Sequence, residues 1–287
     1  MPDEINEFAP AKINLSLHVT GQRDDGYHLL DSLVVFADVG DDISVSVSKQ
    51  DSLAISGPFG AGLDTDATNL AAKARDQLRA KFAFAPVDIR LTKNLPVSSG
   101  IGGGSSDAAA TLRALAKLFS IPHSILADVA INLGADVPMC LAGQPLIAKG
   151  IGEYLTAVHS LPELHLVLAN PNMAVSTPDV FQRLSNRNNP ALPVVPEGLN
   201  VIDFAEWLSR TRNDLQLPAL QLCAAIGDTL LALAETRPLL TRMSGSGATC
   251  YGLYANAALA KSAAVTIAAR HANWWVKPAR TGGSPDA

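Results

Sequence analysis

Four glycines and four serines fall within the eleven residues Pro96-Val97-Ser98-Ser99-Gly100-Ile101-Gly102-Gly103-Gly104-Ser105-Ser106. Glycines so spaced leave backbone N–H groups unobstructed and permit the positive φ angles that turn those groups toward one point, which makes a cradle for an anion. A run rich in alanine and leucine follows at once, so the cradle opens a helix whose dipole adds to its pull on phosphate. A flexible linker is the other reading of this composition. A linker, however, would not feed straight into a capped helix. Spacing excludes two common nucleotide signatures. No lysine follows the glycines as G-x-x-x-x-G-K-[ST] requires, and the positions three after Gly102, Gly103 and Gly104 are Ser105, Ser106 and Asp107, so G-x-G-x-x-G fails as well.

Four further segments carry candidate chemistry. Lys12 stands between apolar neighbours in Pro10-Ala11-Lys12-Ile13-Asn14-Leu15, on or just before a strand, and Asp136 lies in Gly134-Ala135-Asp136-Val137-Pro138. Taken singly, the lysine reads more readily as a snorkelling edge residue and the aspartate as a turn or cap. Gly21 to His28 is a turn-forming stretch ending in Tyr27 and His28. That pair suits stacking on and hydrogen bonding to a flat heterocycle, and equally suits a hairpin turn with a packed tyrosine. Met243-Ser244-Gly245-Ser246-Gly247-Ala248-Thr249 is a second glycine and serine turn, either a hairpin loop or another oxyanion-binding surface.

The elements that must position these residues follow from periodicity. Alternation predicts strands at Asp42 to Ser48, Val87 to Leu95, Leu164 to Ala169, Ala248 to Tyr254 and around Trp274 to Val276. Helical spacing predicts helices at Asn69 to Phe82, Ser105 to Leu118, Ser124 to Leu133 and Ala257 to His271, with a helix-rich region from Leu199 to Glu235. Ser105 or Ser106 is expected to cap the second of these, with Asp107 in its first turn facing the dipole. Gly134 is expected to close the third in a left-handed cap, which leaves residues 135–138 on a loop. Ser185 to Pro196, rich in asparagine and proline, reads as a surface connection.

The 287 residues are 48% hydrophobic and 17% charged, a balance that supports well-packed domains, with disorder expected only from Thr281 to Ala287. A net charge of −5 argues against a nucleic-acid or membrane-surface partner, so an anionic ligand must meet a locally basic pocket. Cys140, Cys223 and Cys250 are far apart and read as buried small side chains rather than a disulfide or metal framework. The acidic N-terminal residues do not suit a signal peptide, and a reducing cytoplasm is the default. The mixture of strands and helices without strict alternation predicts two α+β domains, 1–150 and 151–287.

In this combination and order, across nearly the whole chain, the segments resemble the GHMP kinase superfamily. Within it, the Asp25-Gly26-Tyr27-His28 element narrows the likeness to the branch acting on 4-diphosphocytidyl-2-C-methyl-D-erythritol. The resemblance implies transfer of the ATP γ-phosphoryl group to the 2-hydroxyl of that alcohol, a step of the non-mevalonate route to isoprenoids, with ATP and Mg2+ as cofactors and no protein partner. It implies an N-terminal ATP-binding domain with a left-handed βαβ element and a ferredoxin-like C-terminal domain whose last strand returns to the first. By the same resemblance Asp136 is the base, Lys12 orients it and stabilises charge, and Pro96 to Ser106 holds the nucleotide. Asn14 then contacts the substrate near the transferred group, Tyr27 and His28 serve the cytosine, and Phe181 covers the base's other face. No magnesium ligand is assigned beyond the hard oxygens of Ser105 and Ser106. A kinase of another alcohol, such as homoserine, would keep the loop without needing the Tyr27-His28 pair. Ser98 and Ser99 stand where relatives carry more glycine and Asp107 where others carry asparagine. Serine there is expected to avoid a strongly left-handed backbone and to change ATP affinity.

Overall fold

The computed structural model describes residues 3–281. In chain order the elements are β1 (Glu4–Gln22), β2 (His28–Val47), β3 (Ser52–Ser56), α1 (Leu70–Lys81), β4 (Val87–Thr92), α2 (Gly103–Phe119), α3 (His123–Leu133), α4 (Val137–Ala142), β5 (Leu146–Gly150) and β6 (Tyr154–Ala157). They continue with β7 (Leu164–Asn170), α5 (Thr177–Gln182), α6 (Val201–Ser209), α7 (Gln216–Leu222), α8 (Ala225–Glu235), β8 (Leu240–Met243), β9 (Cys250–Tyr254), α9 (Ala257–Arg270) and β10 (Trp275–Thr281). Thr281 closes β10, and the rest of the tail expected to be disordered lies outside the described residues.

The described chain forms two compact units that interleave along the sequence: one holds residues 3–11, Val39–Val97 and Gly102–Gly143, the other Lys12–Asp38, Ser98–Ile101 and residues 144–281. In the first unit, β3 and β4 pair in parallel with α1 between them in the chain, and β4 pairs antiparallel with Asp42–Val47 of β2. Asn69 starts α1 by accepting the Ala71 N–H at 2.9 Å, and the helix buries Ala71, Ala74 and Leu78. Helix α2 packs on α1 and buries Ala108, Leu112 and Leu115.

Three local expectations are corrected here. The cap of α2 is Gly102, in the left-handed region with no side-chain cap bond; the Ser106 hydroxyl instead donates to the Pro10 carbonyl at 2.7 Å. Gly134 is extended, with φ near 159°, so α3 ends without a left-handed cap. The segment after Asp136 is the helix α4, because Pro138 sits in its first turn, where a missing N–H costs nothing, and Val137 and Met139 are buried.

In the second unit, β7, α8, β8, β9, α9 and β10 run β-α-β-β-α-β, with strands in the order β10-β7-β9-β8 and every neighbouring pair antiparallel. That is the ferredoxin-like arrangement the resemblance implied. Its core joins Val167, Ala169, Met243 and Cys250 of the sheet to Ile226 and Leu233 of α8 and Ala264 and Ile267 of α9. Residues Leu30–Val34 of β2 pair with β5, which pairs with β6. Cys140 and Cys250 are buried and Cys223 is partly so, as expected of small packed side chains.

Candidate active site

Within the second unit the first half of the glycine run is locked to the β8–β9 connection. Ser99 accepts from the Thr249 N–H at 3.1 Å, Gly100 from the Ser244 hydroxyl at 3.2 Å, and Ile101 from the Lys12 N–H at 2.9 Å. With these carbonyls tied down, φ is positive at every second residue: Ser98 (51°), Gly100 (75°) and Gly102 (66°). Alternating backbone signs are what turn successive N–H groups to one side. Ser98 is therefore left-handed, against the expectation for a serine, and a non-glycine residue pays roughly 1 kcal/mol for it. Gly100 has no alternative, since a Cβ there would lie 2.5 Å from the Ser244 carbonyl oxygen and 2.7 Å from the Gly247 nitrogen.

Lys12 and Asn14 lie in the same unit on β1, both buried. The Asn14 N–H donates to Ser244 Oγ at 3.1 Å and its Nδ2 to Ser32 Oγ at 2.7 Å, while Ser32 itself donates to the Ser16 carbonyl. That chain of donors fixes the amide orientation and leaves Asn14 Oδ1 buried with no hydrogen-bond partner among the described residues. It is an acceptor in waiting. His28 lies against Phe181 of α5, with ring centroids 4.8 Å apart and planes 29° from parallel. Burial, then the Arg187 guanidinium, lowers the His28 imidazole below its ordinary value, and its Nε2 is another buried atom without a described partner. Tyr27, at the end of a turn in which Asp25 Oδ1 accepts its N–H, is 61% exposed.

The first unit carries the rest. The N-terminal amides of the 17-residue helix α2 have no side-chain cap, so its dipole end is presented bare. Asp136 is half-buried at the N-cap position of α4, its carbonyl accepting from the Cys140 N–H at 3.1 Å.

The segment 69–144 matches the family described as GHMP kinases N terminal domain. The 4-diphosphocytidyl-2-C-methyl-D-erythritol kinase of Rhizobium johnstonii is 52% identical over 283 residues, covering 96% of this chain and 93% of the relative. The chain belongs to that kinase family. A crystal structure of 4-(cytidine 5'-diphospho)-2C-methyl-D-erythritol kinase superposes with a TM-score of 0.80 at 33% identity, covering 97% of this chain and all of that one. The homoserine kinase of Cytophaga hutchinsonii superposes at 0.72 with 18% identity and shares the fold alone.

For a member of this kinase family, one group near the loop had not stood out in the sequence. Lys93, at the end of β4, donates to Asp41 and Asp107, and Asp41 Oδ1 accepts the N–H groups of Asn94 and Leu95 at 2.6 and 2.8 Å. Asp107 thus does not face the helix dipole as expected but is buried in an ionic cluster. The signal available was Lys93 itself, a cation set directly after a strand whose inward positions are Val87, Ile89 and Leu91 and just before the loop. Ser244 and Asn213, whose Nδ2 donates to the carbonyls of Met243 and Gly245 at 2.8 Å each, likewise shape the second glycine turn.

Proposed function

We propose that this chain transfers the γ-phosphoryl group of ATP to the 2-hydroxyl of 4-diphosphocytidyl-2-C-methyl-D-erythritol, giving the 2-phosphate and ADP, as a cytoplasmic small-molecule kinase. The observation that carries this is the likeness to kinases of that name over nearly the whole length of both chains. In this reading the amides of residues 98–105 and the N-terminus of α2 hold the nucleotide phosphates. Phosphoryl transfer asks the protein mainly for positioning and charge stabilisation. Asp136 accepts the proton of the attacking hydroxyl, Lys12 orients that carboxylate and offsets charge at the reacting oxygens, and Asn14 Oδ1 receives a substrate hydroxyl. Tyr27, His28 and Phe181 form the cytosine pocket, in which a neutral imidazole presents its orphaned Nε2 to the base.

Among the described residues no group of three or more His, Cys, Asp or Glu could hold a metal ion. That suits Mg2+ carried in on nucleotide phosphates, which needs only one or two protein oxygens. The half-buried Ser105 and the buried Ser106 hydroxyl would supply them, and the ion would neutralise phosphate charge.

The experiment is incubation of the purified protein with ATP, Mg2+ and a panel of alcohols, measuring ADP and the phosphorylated product. Turnover of the cytidyl alcohol alone supports the reading. Turnover of homoserine or mevalonate with an inert cytidyl alcohol overturns it.

A further inference from the structure

Asn14 is tied at two points by serine hydroxyls, each of which has a single proton and has already given it away. Its backbone N–H donates to Ser244 Oγ at 3.1 Å, and that hydroxyl donates to the Gly100 carbonyl at 3.2 Å. Its side-chain Nδ2 donates to Ser32 Oγ at 2.7 Å, and that hydroxyl donates to the Ser16 carbonyl at 2.6 Å. A carbonyl has no proton to return, so Ser32 Oγ can only accept from Asn14. Turning the Asn14 amide over would set its Oδ1 against an oxygen with no proton to share, among side chains of which Asn14, Ser16 and Ser32 are each at most 4% exposed. The neighbouring strand offers no substitute donor or acceptor, because Ser32 pairs with Ala148 of β5, whose side chain is apolar.

The orientation selected in this way leaves an acceptor, Oδ1, as the end of the amide without a partner among the described residues. Gly245 keeps the space beside it clear, since a Cβ there would lie 3.3 Å from Oδ1. We propose that Ser32 is a positioning residue for the phosphoryl acceptor: by receiving the Nδ2 proton it makes Asn14 a one-way acceptor, which selects a substrate that presents a hydroxyl proton there. This rests on the reading that Asn14 Oδ1 receives a substrate hydroxyl. Without the Ser32 hydroxyl nothing distinguishes the two orientations of the amide, and in the turned-over one an N–H group meets the substrate instead of an oxygen. A misdirected hydrogen bond of this kind corresponds to ~10-fold in rate. A serine that merely knits β1 to β2 would change stability and leave the two substrates of a kinase equally affected.

The test is a double-mutant cycle on steady-state kinetics, with Ser32→Ala, Asn14→Ala and the pair compared with the parent while each substrate is varied in turn. Ser32→Ala is expected to lower kcat/KM for the alcohol ~10-fold while KM for ATP stays within about twofold. On the Asn14→Ala background the same change should cost less than about twofold, because the group it orients is gone. Ser32→Thr, which keeps the hydroxyl, should return kcat/KM to within about threefold of the parent. Should Ser32→Ala not fold, Ser32→Cys, of similar size but only a weak acceptor, takes its place in the cycle. A ~10-fold loss repeated in full on the Asn14→Ala background overturns the proposal, as does a Ser32→Ala enzyme as fast as the parent or a folded Ser32→Thr as slow as Ser32→Ala. The cycle is run with whichever alcohol turns over. Coupling between Ser32 and Asn14 on homoserine, with the cytidyl alcohol inert, supports the proposal and sinks only the substrate assignment; turnover of the cytidyl alcohol without coupling does the reverse. No turnover of any alcohol overturns both.

Discussion

The imidazole of His28 rests on the phenyl ring of Phe181, with centroids 4.8 Å apart. A base held between two rings needs contacts of about 3.5 Å on each face, so this pair as it stands encloses nothing. A cytosine must stack on an outer face, with the exposed Tyr27 available to cover it, or part the two rings. In either case Phe181→Ala and Tyr27→Ala should each raise KM for the cytidyl alcohol by ~10-fold while KM for ATP moves less than about twofold, given what a single base–aromatic stack contributes. Steady-state kinetics with each substrate varied would show it, and an unmoved KM in both variants would place the cytosine elsewhere.

Asp136→Asn should lower kcat by at least ~100-fold, the usual contribution of a general base, with ADP affinity held within about threefold. Single-turnover phosphoryl transfer separates this from slowed product release. Retained turnover would remove Asp136 from the base role.

Ser98 and Gly100 share a left-handed backbone but not their surroundings. Ser98 is exposed, so Ser98→Gly should remove roughly 1 kcal/mol of strain, offset in part by the looser unfolded chain, for a net gain of about 0.5 kcal/mol. Gly100→Ala sets a Cβ against two backbone atoms that cannot yield singly, and should cost at least ~2 kcal/mol. Urea unfolding of the two variants beside the parent measures both; a destabilised Ser98→Gly would mean that its side chain does more than the backbone geometry implies.

His18 is buried between the Pro190 carbonyl, 3.1 Å from its Nδ1, and the Arg212 N–H, which donates to its Nε2 at 3.2 Å. Only the neutral ring serves both. Burial first, and the Arg212 charge second, lower its pKa. A folded-state value below the unfolded one means that protons bind the unfolded chain more tightly, so stability is full above about pH 7 and is lost as pH falls through about 6.5 toward the lowered value. Denaturation midpoints between pH 5 and 8 should show that slope, and His18→Gln should make it shallower. An identical slope in the variant would assign the effect to other groups.

The sequence is most legible where the chain speaks locally. Helix α1 reads from Leu70, Ala71, Ala74 and Leu78, and α9 from its alanines, because their apolar stripes and asparagine caps lie within a few residues. Strands β1 and β2 run much further than alternation predicts, since Lys12, Asn14, Asp31 and Asp41 interrupt the apolar pattern yet are buried. Asp107 looked like a first-turn acid because its partners, Lys93 and Asp41, are 14 and 66 positions away, and no periodicity reports them. The kinase likeness of the motifs was readable for the opposite reason: each is a short string whose chemistry depends on contiguous residues.

The Ser244–Gly247 turn and Gly100 fit each other so closely that a Cβ on Gly245 would come within 2.6 Å of the Gly100 oxygen and one on Gly100 within 2.5 Å of the Ser244 oxygen. Segments almost 150 positions apart are thus a single inherited part. An engineer who grafts a foreign glycine loop to change the nucleotide preference would have to transplant the distant turn with it, and natural drift at one should be answered by drift at the other.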